Sequence, residues 1–192
     1  MRTVIQYLAK FLSEGTASVL LFLPICIFLR LLYLKERKKT DLSDKPDMVH
    51  ETILLLFMTF LIMLFTQTFI YNPGLNRIQP IPFYIIIKQL IESGQNVFLY
   101  RGFIFNVIGN IGIFVPVGIF IAVLYRTNYS QTLVRGFFIS LIIETVQIPL
   151  ERTTDVDDLI LNTTGAAVGY GLYRLYHRIK RKYREKKHRS VP

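Results

Sequence analysis

The sequence contains no tryptophan and a single cysteine, Cys26, which lies inside an apolar run. One cysteine excludes an intrachain disulfide framework and any multi-cysteine metal site. Histidine is nearly as scarce: only His50, His177 and His188 are present. Acidic residues number 13 against 23 Lys and Arg, for a net charge of +10. Most of that excess sits in two short segments, so it reads as topological information and not as a nucleic-acid surface. Residues 1–14 lack the n-region, h-region and small-residue cleavage site of a signal peptide. No internal repeat is visible.

Long hydrophobic runs are abundant. Of the 192 residues, 52% are hydrophobic, and the mean hydropathy is +0.39. Several stretches have no polar coat, and apolar runs of about 18 residues or more read as transmembrane helices. The pattern predicts an all-α, polytopic transmembrane helix bundle of about five spans with one additional interfacial or re-entrant helix. The spans are expected at about Ala17–Leu34, Thr52–Tyr71, Phe103–Tyr125, Thr132–Leu150 and Asp158–Tyr176. Residues 3–12 read as a short amphipathic interfacial helix. In the first span Pro24 is a candidate kink, and Arg30 can snorkel towards the near end. The stretch IQPIPFYIIIKQLI, opened by Pro80 and Pro82, is too short to cross about 30 Å of hydrocarbon and reads as interfacial or re-entrant. The tail HRIKRKYREKKHR is expected to be disordered or membrane-associated.

The chain divides into residues 1–50 (interfacial helix, first span and basic loop), 51–177 (the transmembrane core) and 178–192 (the basic tail). Lys35, Arg37, Lys38, Lys39, Lys45, Arg126 and the tail fall on one side of the five-span arrangement. The other side holds Arg2, Lys10, Arg77, Lys88, Arg101 and Arg152. The positive-inside bias therefore puts the C-terminus in the cytoplasm and the N-terminus outside.

Polar residues inside the apolar segments are few and concentrated. Asn106 and Asn110 are four apart on one helix face. Gly102, Gly109, Gly112 and Gly118 on the same span would permit close helix contact, and Pro116 a bend. Buried amides need partners, so this pair is either helix–helix glue or part of a polar site. Glu144 and Gln147 share a face of the fourth span, and an ionisable group there costs about 2.5–3.5 kcal/mol on insertion scales. Arg152 is its candidate partner, which leaves a structural ion pair as the plain alternative. Asp155, Asp157 and Asp158 follow, with Asn162 one turn beyond Asp158. Asp155 or Asp157 can cap the fifth helix, but capping accounts for one carboxylate and not three. Gly165 and Gly169 form a small-residue packing motif. In the five-span arrangement all these polar residues reach the outer leaflet, whereas the histidines lie on the cytoplasmic side. Histidine bases and histidine zinc ligands are thereby excluded from the site. The remaining chemistry is carboxylate and amide: oxygen ligands for a hard cation, a Glu or Asp acid–base pair, or hydrogen-bond recognition of a polar headgroup.

Together, Pro82-Phe83, Asn106-x-x-Gly109-Asn110-x-x-x-Phe114-x-Pro116-x-Gly118, Glu144-x-x-Gln147 and Arg152-x-x-Asp155-x-Asp157-Asp158-x-x-x-Asn162-x-x-Gly165 resemble the VanZ-like family of bacterial membrane proteins. The resemblance runs from about Gln79 to Leu175, and the first span with its basic loop looks like an addition to it. The family is named for a protein that confers low-level teicoplanin resistance. The resemblance implies a bacterial plasma-membrane protein acting at the cell envelope, but it supplies neither a mechanism nor a catalytic residue. Two functions follow as expectations. One is binding or shielding of an outer-leaflet lipid, such as a lipid-linked cell-wall precursor, or of a glycopeptide. It would use Asn106, Asn110, Glu144, Gln147, Arg152, Asp155, Asp157, Asp158 and Asn162. The other is a membrane enzyme on a lipid-linked headgroup, with Glu144, Asp157 and Asp158 as catalytic candidates and a divalent cation as an option. A proton- or ion-coupled transporter using the same buried carboxylates is a third reading, weakened by five spans without a visible repeat. Membrane lipids are the expected partners and nucleic acid is not; no cofactor is specified.

Overall fold

The computed structural model describes residues 2–39, 47–70, 78–79, 81–93, 97–148 and 154–189. Helices dominate: α1 (Arg2–Lys39), α2 (Met48–Ile70), α3 (Tyr84–Ser93), α4 (Val97–Tyr125), α5 (Tyr129–Gln147) and α6 (Val156–Arg189). Two short strands, β1 (Ile78–Gln79) and β2 (Thr154–Asp155), pair in parallel, Ile78 with Thr154 and Gln79 with Asp155. The chain clusters into two units: residues 1–74 with 149–152, and residues 75–148 with 153–192.

Within the first unit α1 packs on α2. Gly15 gives Met63 of α2 room: a Cβ there would meet the Met63 side chain at 2.9 Å. Arg30 gains a partner that the sequence reading did not assign. It forms a two-pronged ion pair with Glu51 at 2.7 and 3.0 Å, and its guanidinium lies 5.1 Å from the Tyr33 ring centre. The planar guanidinium matches a carboxylate in this two-pronged geometry. The separate interfacial helix expected at residues 3–12 is instead the start of α1, which runs on through Pro24.

Within the second unit α4, α5 and α6 alternate in direction. The turn between α4 and α5 is only Arg126, Thr127 and Asn128. Arg126 takes a positive φ of 47° at the end of α4, the usual place for a left-handed residue. Asn128 then caps α5, with Gln131 returning the bond to its backbone. Thr127 and Thr132 join their hydroxyls at 2.7 Å in the buried corner. α4 and α6 run parallel and approach backbone to backbone. A Cβ at Gly118 would fall on the Ala166 carbonyl, one at Gly165 on the Ile111 carbonyl, and one at Gly169 on the Val115 carbonyl. Glycine is the residue that permits this approach, as in other membrane helix pairs. α5 closes on the same point, since a Cβ at Gly136 would meet the Ala166 methyl. Gly109 and Gly112, expected to help in close packing, face open space.

Among the described residues, three segments are long and apolar enough to cross a bilayer: Gly15–Lys35, Met48–Thr66 and Asn106–Tyr125. α5 and α6 stand where the fourth and fifth spans are expected but carry more polar residues. Those residues face inwards: Thr132, Ser140, Glu144, Asp157 and Asn162 are buried, while Phe137, Phe138, Leu141, Ile142, Val168, Leu172 and Leu175 are exposed. A polar-inside, apolar-outside helix suits lipid surroundings, although its average hydropathy is low. Threonine hydroxyls at 52, 59, 66, 145, 163 and 164 bond the carbonyl four residues back, which satisfies them without leaving the helix.

The basic tail is helical, not disordered: α6 continues to Arg189, with Arg181 and Glu185 paired at 3.7 Å. Lys, Arg and Glu are good helix formers, and this charge spacing adds to their propensity.

The glycine contacts set opposite signs for two kinds of substitution. Gly165→Ala should destabilise the folded protein by about 1–3 kcal/mol through overpacking against α4. Gly109→Ala, in open space, should stabilise it by about 0.5–1 kcal/mol through helix propensity. Unfolding in mixed micelles checks both.

Candidate functional site

Asn106 and Asn110 occupy the first turns of the apolar segment Asn106–Tyr125 of α4. The Asn110 amide donates to Asn106 Oδ1 at 3.4 Å and to Asp158 Oδ1 in the first turn of α6. The parallel register of the two helices accounts for the second contact. Asn110 meets Asp158 and Gly118 meets Ala166, an advance of eight residues on each helix. The three side chains are half-buried, so they stand at the edge of the unit and not in its core.

α5 runs antiparallel to α6, and its contacts step in fours. Gly136 faces Ala166, and Asn162 donates to Ser140 Oγ at 3.0 Å. Carrying this register one step further puts Glu144 towards the level of Asp158, and Gln147, three residues on, is the last residue of α5. Glu144 and Asn162 are each only 5% exposed. Asn162 Oδ1 is buried and accepts no hydrogen bond among the described residues. A buried amide oxygen of this kind ordinarily has a donor.

Asp157 does something the sequence reading had not assigned to it. It is 1% exposed and reaches the N-terminus of α3, accepting from the Phe83 N–H through Oδ1 and from the Ile86 N–H through Oδ2 at 3.1 Å. The first amides of any helix lack internal partners, and a carboxylate suits them by charge and by hydrogen bonding. Asp157 is therefore a capping group supplied from a distant helix, 74 residues on from Phe83. The expectation that it caps its own helix differs from this geometry. Phe83 holds a φ of 64°, which costs an L-residue about 1–2 kcal/mol. Its N–H bond to Asp157 helps hold that turn, and the β1–β2 pairing brings the two segments together just before it. This is the physical content of the Pro82-Phe83 and Asp155-x-Asp157 motifs. The missed signal was the need of a ten-residue helix, opened by Pro82 and Phe83, for an N-terminal acceptor.

The structure thus joins Asn106, Asn110 and Asp158 directly, sets Glu144 and Asn162 on the facing surfaces of α5 and α6, and turns Asp157 towards α3. Asp155 takes part through its strand backbone. Arg152, the expected partner of Glu144, lies outside the described residues. No group of three or more His, Cys, Asp or Glu among the described residues converges as metal ligands do.

Asp157→Asn should free the N-terminus of α3 and leave the α4–α6 contact intact. Losing charge-assisted bonds worth about 1.5–3 kcal/mol should speed amide exchange at Phe83 and Ile86 roughly 10- to 100-fold. Hydrogen-exchange mass spectrometry on the purified protein reads this directly. Unchanged exchange there would show that the carboxylate is not the cap.

No curated protein and no solved structure matches the chain. The match to a family model covers residues 52–177, beginning within α2, so that α1 stands outside it. With apolar helices of spanning length and this match over most of its sequence, the chain is an integral membrane protein that belongs to the VanZ/LLP1 family.

Proposed function

We propose that this protein acts at the bacterial cell envelope by binding the polar head of an outer-leaflet lipid or glycopeptide. The binding groups are Asn106, Asn110, Asp158, Glu144 and Asn162. The observation that carries the reading is the Asn106–Asn110–Asp158 chain, a half-buried run of amides and carboxylate at one end of an apolar segment. That is the depth at which a lipid headgroup meets the hydrocarbon. Amides offer both donors and acceptors, and a carboxylate accepts from hydroxyls, amides or ammonium groups, which suits sugar and peptide headgroups. The buried Asn162 Oδ1 adds an acceptor for a ligand donor or an ordered water. In this reading Asp157 and the β1–β2 pair hold α3 beside the site and do not contact the ligand. The basic tail faces the cytoplasm, and Gln147 at the end of α5 belongs to the outer rim. Binding of this kind could shield a precursor from a teicoplanin-type glycopeptide.

The enzyme reading draws on the α5–α6 register seen at Gly136–Ala166 and Ser140–Asn162, which carried one turn further brings Glu144 towards Asp158. Two carboxylates there can divide acid and base roles without a metal. Turnover of lipid-linked substrates by purified protein separates the two readings.

Asp158→Asn keeps the shape and an acceptor for Asn110 while removing the charge. At unchanged membrane abundance it should weaken the teicoplanin phenotype or lipid retention roughly 10-fold or more, as expected for a lost charged hydrogen bond. Asn106→Leu should act in the same direction. Full activity of both variants at normal abundance would overturn the proposed site.

A further inference from the structure

The last turns of α6 carry two faces that the bundle does not use. Leu172, Tyr176, Ile179 and Tyr183 follow at i, i+4, i+7 and i+11 and so form one stripe. All are exposed, Ile179 by 59% and Tyr183 by 72%. The stripe continues the exposed Val168 and Leu172 of the apolar part of the helix, the surface that meets lipid if α6 spans. Opposite it, Arg174, His177, Arg178, Lys180, Arg181 and Arg184 line one open face. The Lys180 ammonium lies 5.7 Å from the Tyr176 ring centre, which joins the edges of the two faces. Glu185, bonded to Arg181, is the only acid among residues 174–186.

We infer that residues 172–186 of α6 form a binding surface for anionic phospholipid in the leaflet at the C-terminal end of the helix. The apolar stripe takes acyl chains and glycerol backbones, and the arginine face takes phosphates. A helix rises about 1.5 Å per residue, so Leu175 to Tyr183 spans about 12 Å. The headgroup layer on each side of a bilayer is about 5–8 Å thick. Counted from Leu175, Ile179 lies about 6 Å along and so within that layer, and Tyr183 just beyond it, with basic residues at every turn between them. An apolar stripe opposite a basic face is the composition of a helix held at an anionic membrane surface. A second copy of this helix would fit the stripe less well, because its own cations would repel the flanking arginines. The inference requires only that the apolar part of α6 lies in the bilayer, and it is independent of what the Asn110–Asp158 site binds.

The absence of tryptophan supplies the probe, since Ile179→Trp introduces a single indole. The full-length variant is reconstituted, one copy per nanodisc, in phosphatidylcholine alone or mixed with phosphatidylglycerol. Brominated acyl chains serve as quenchers. With phosphatidylglycerol present, emission should shift to the blue and quenching should rise at least about twofold. High salt should reverse the gain, as should Arg174→Gln, Arg178→Gln, Arg181→Gln and Arg184→Gln combined. The salt titration needs no charge-removing variant, so it remains decisive should the combined variant fail to fold. Equal quenching in both lipids, or no effect of salt, would overturn the inference. So would a blue shift that appears only in discs loaded with two copies, which would assign the stripe to a second chain.

Discussion

The near contact of the α4 and α6 backbones is the constraint on which the polar site depends. Gly118, Gly165 and Gly169 leave no side chain between the helices, and Ala166 is wholly buried where α5 also arrives. In lipid, hydrophobic burial does not drive helices together, so dispersion contacts over such smooth surfaces must contribute. Once the helices touch at Gly118 and Ala166, the parallel register puts Asn110 beside Asp158 eight residues earlier. The antiparallel register of α5 likewise puts Ser140 beside Asn162 and Glu144 one turn further. Polar residues at fixed spacings are thus brought together by glycines that do no chemistry themselves.

A second constraint comes from the short helix α3. Its ten residues cover about 15 Å, half of a hydrocarbon core. A helix that short has little intrinsic stability. Here it is held at its N-terminus by the Asp157 carboxylate and preceded by the β1–β2 pairing. Adjacent aspartates therefore have different tasks: Asp157 faces the α3 amides, and Asp158 faces the α4 amides. Successive residues on a helix point about 100° apart, which lets one dipeptide serve two neighbours.

Much of this was legible in the sequence, for identifiable reasons. Hydropathy located the long helices because they are apolar on most sides. Spacing by four predicted that Asn106 with Asn110, and Asp158 with Asn162, would share faces. The meeting of Asn110 with Asp158 follows from the order and direction of the helices that hydropathy outlines. Other features were not legible, because they depend on three-dimensional partners. Asp157 serves α3 from far along the chain, and no local spacing marks such a cap. Arg30 pairs with Glu51 across two helices. Gly109 and Gly112 look like packing glycines in sequence, yet which face of α4 meets α6 is fixed by Gly118 and Phe114. Of the two expectations for the tail, disorder is not met, because its Lys, Arg and Glu content favours helix.

A double-mutant cycle on Asn110 and Asp158 tests the central contact most directly. The unfolding free energies of Asn110→Ala, Asp158→Ala and the double variant are measured in the same micelles. Side chains joined by a hydrogen bond to a carboxylate should show a coupling energy of about 1 kcal/mol or more. Effects that add within about 0.3–0.5 kcal/mol would mean that the two residues do not meet, and would contradict the assembly of the site by α4 and α6.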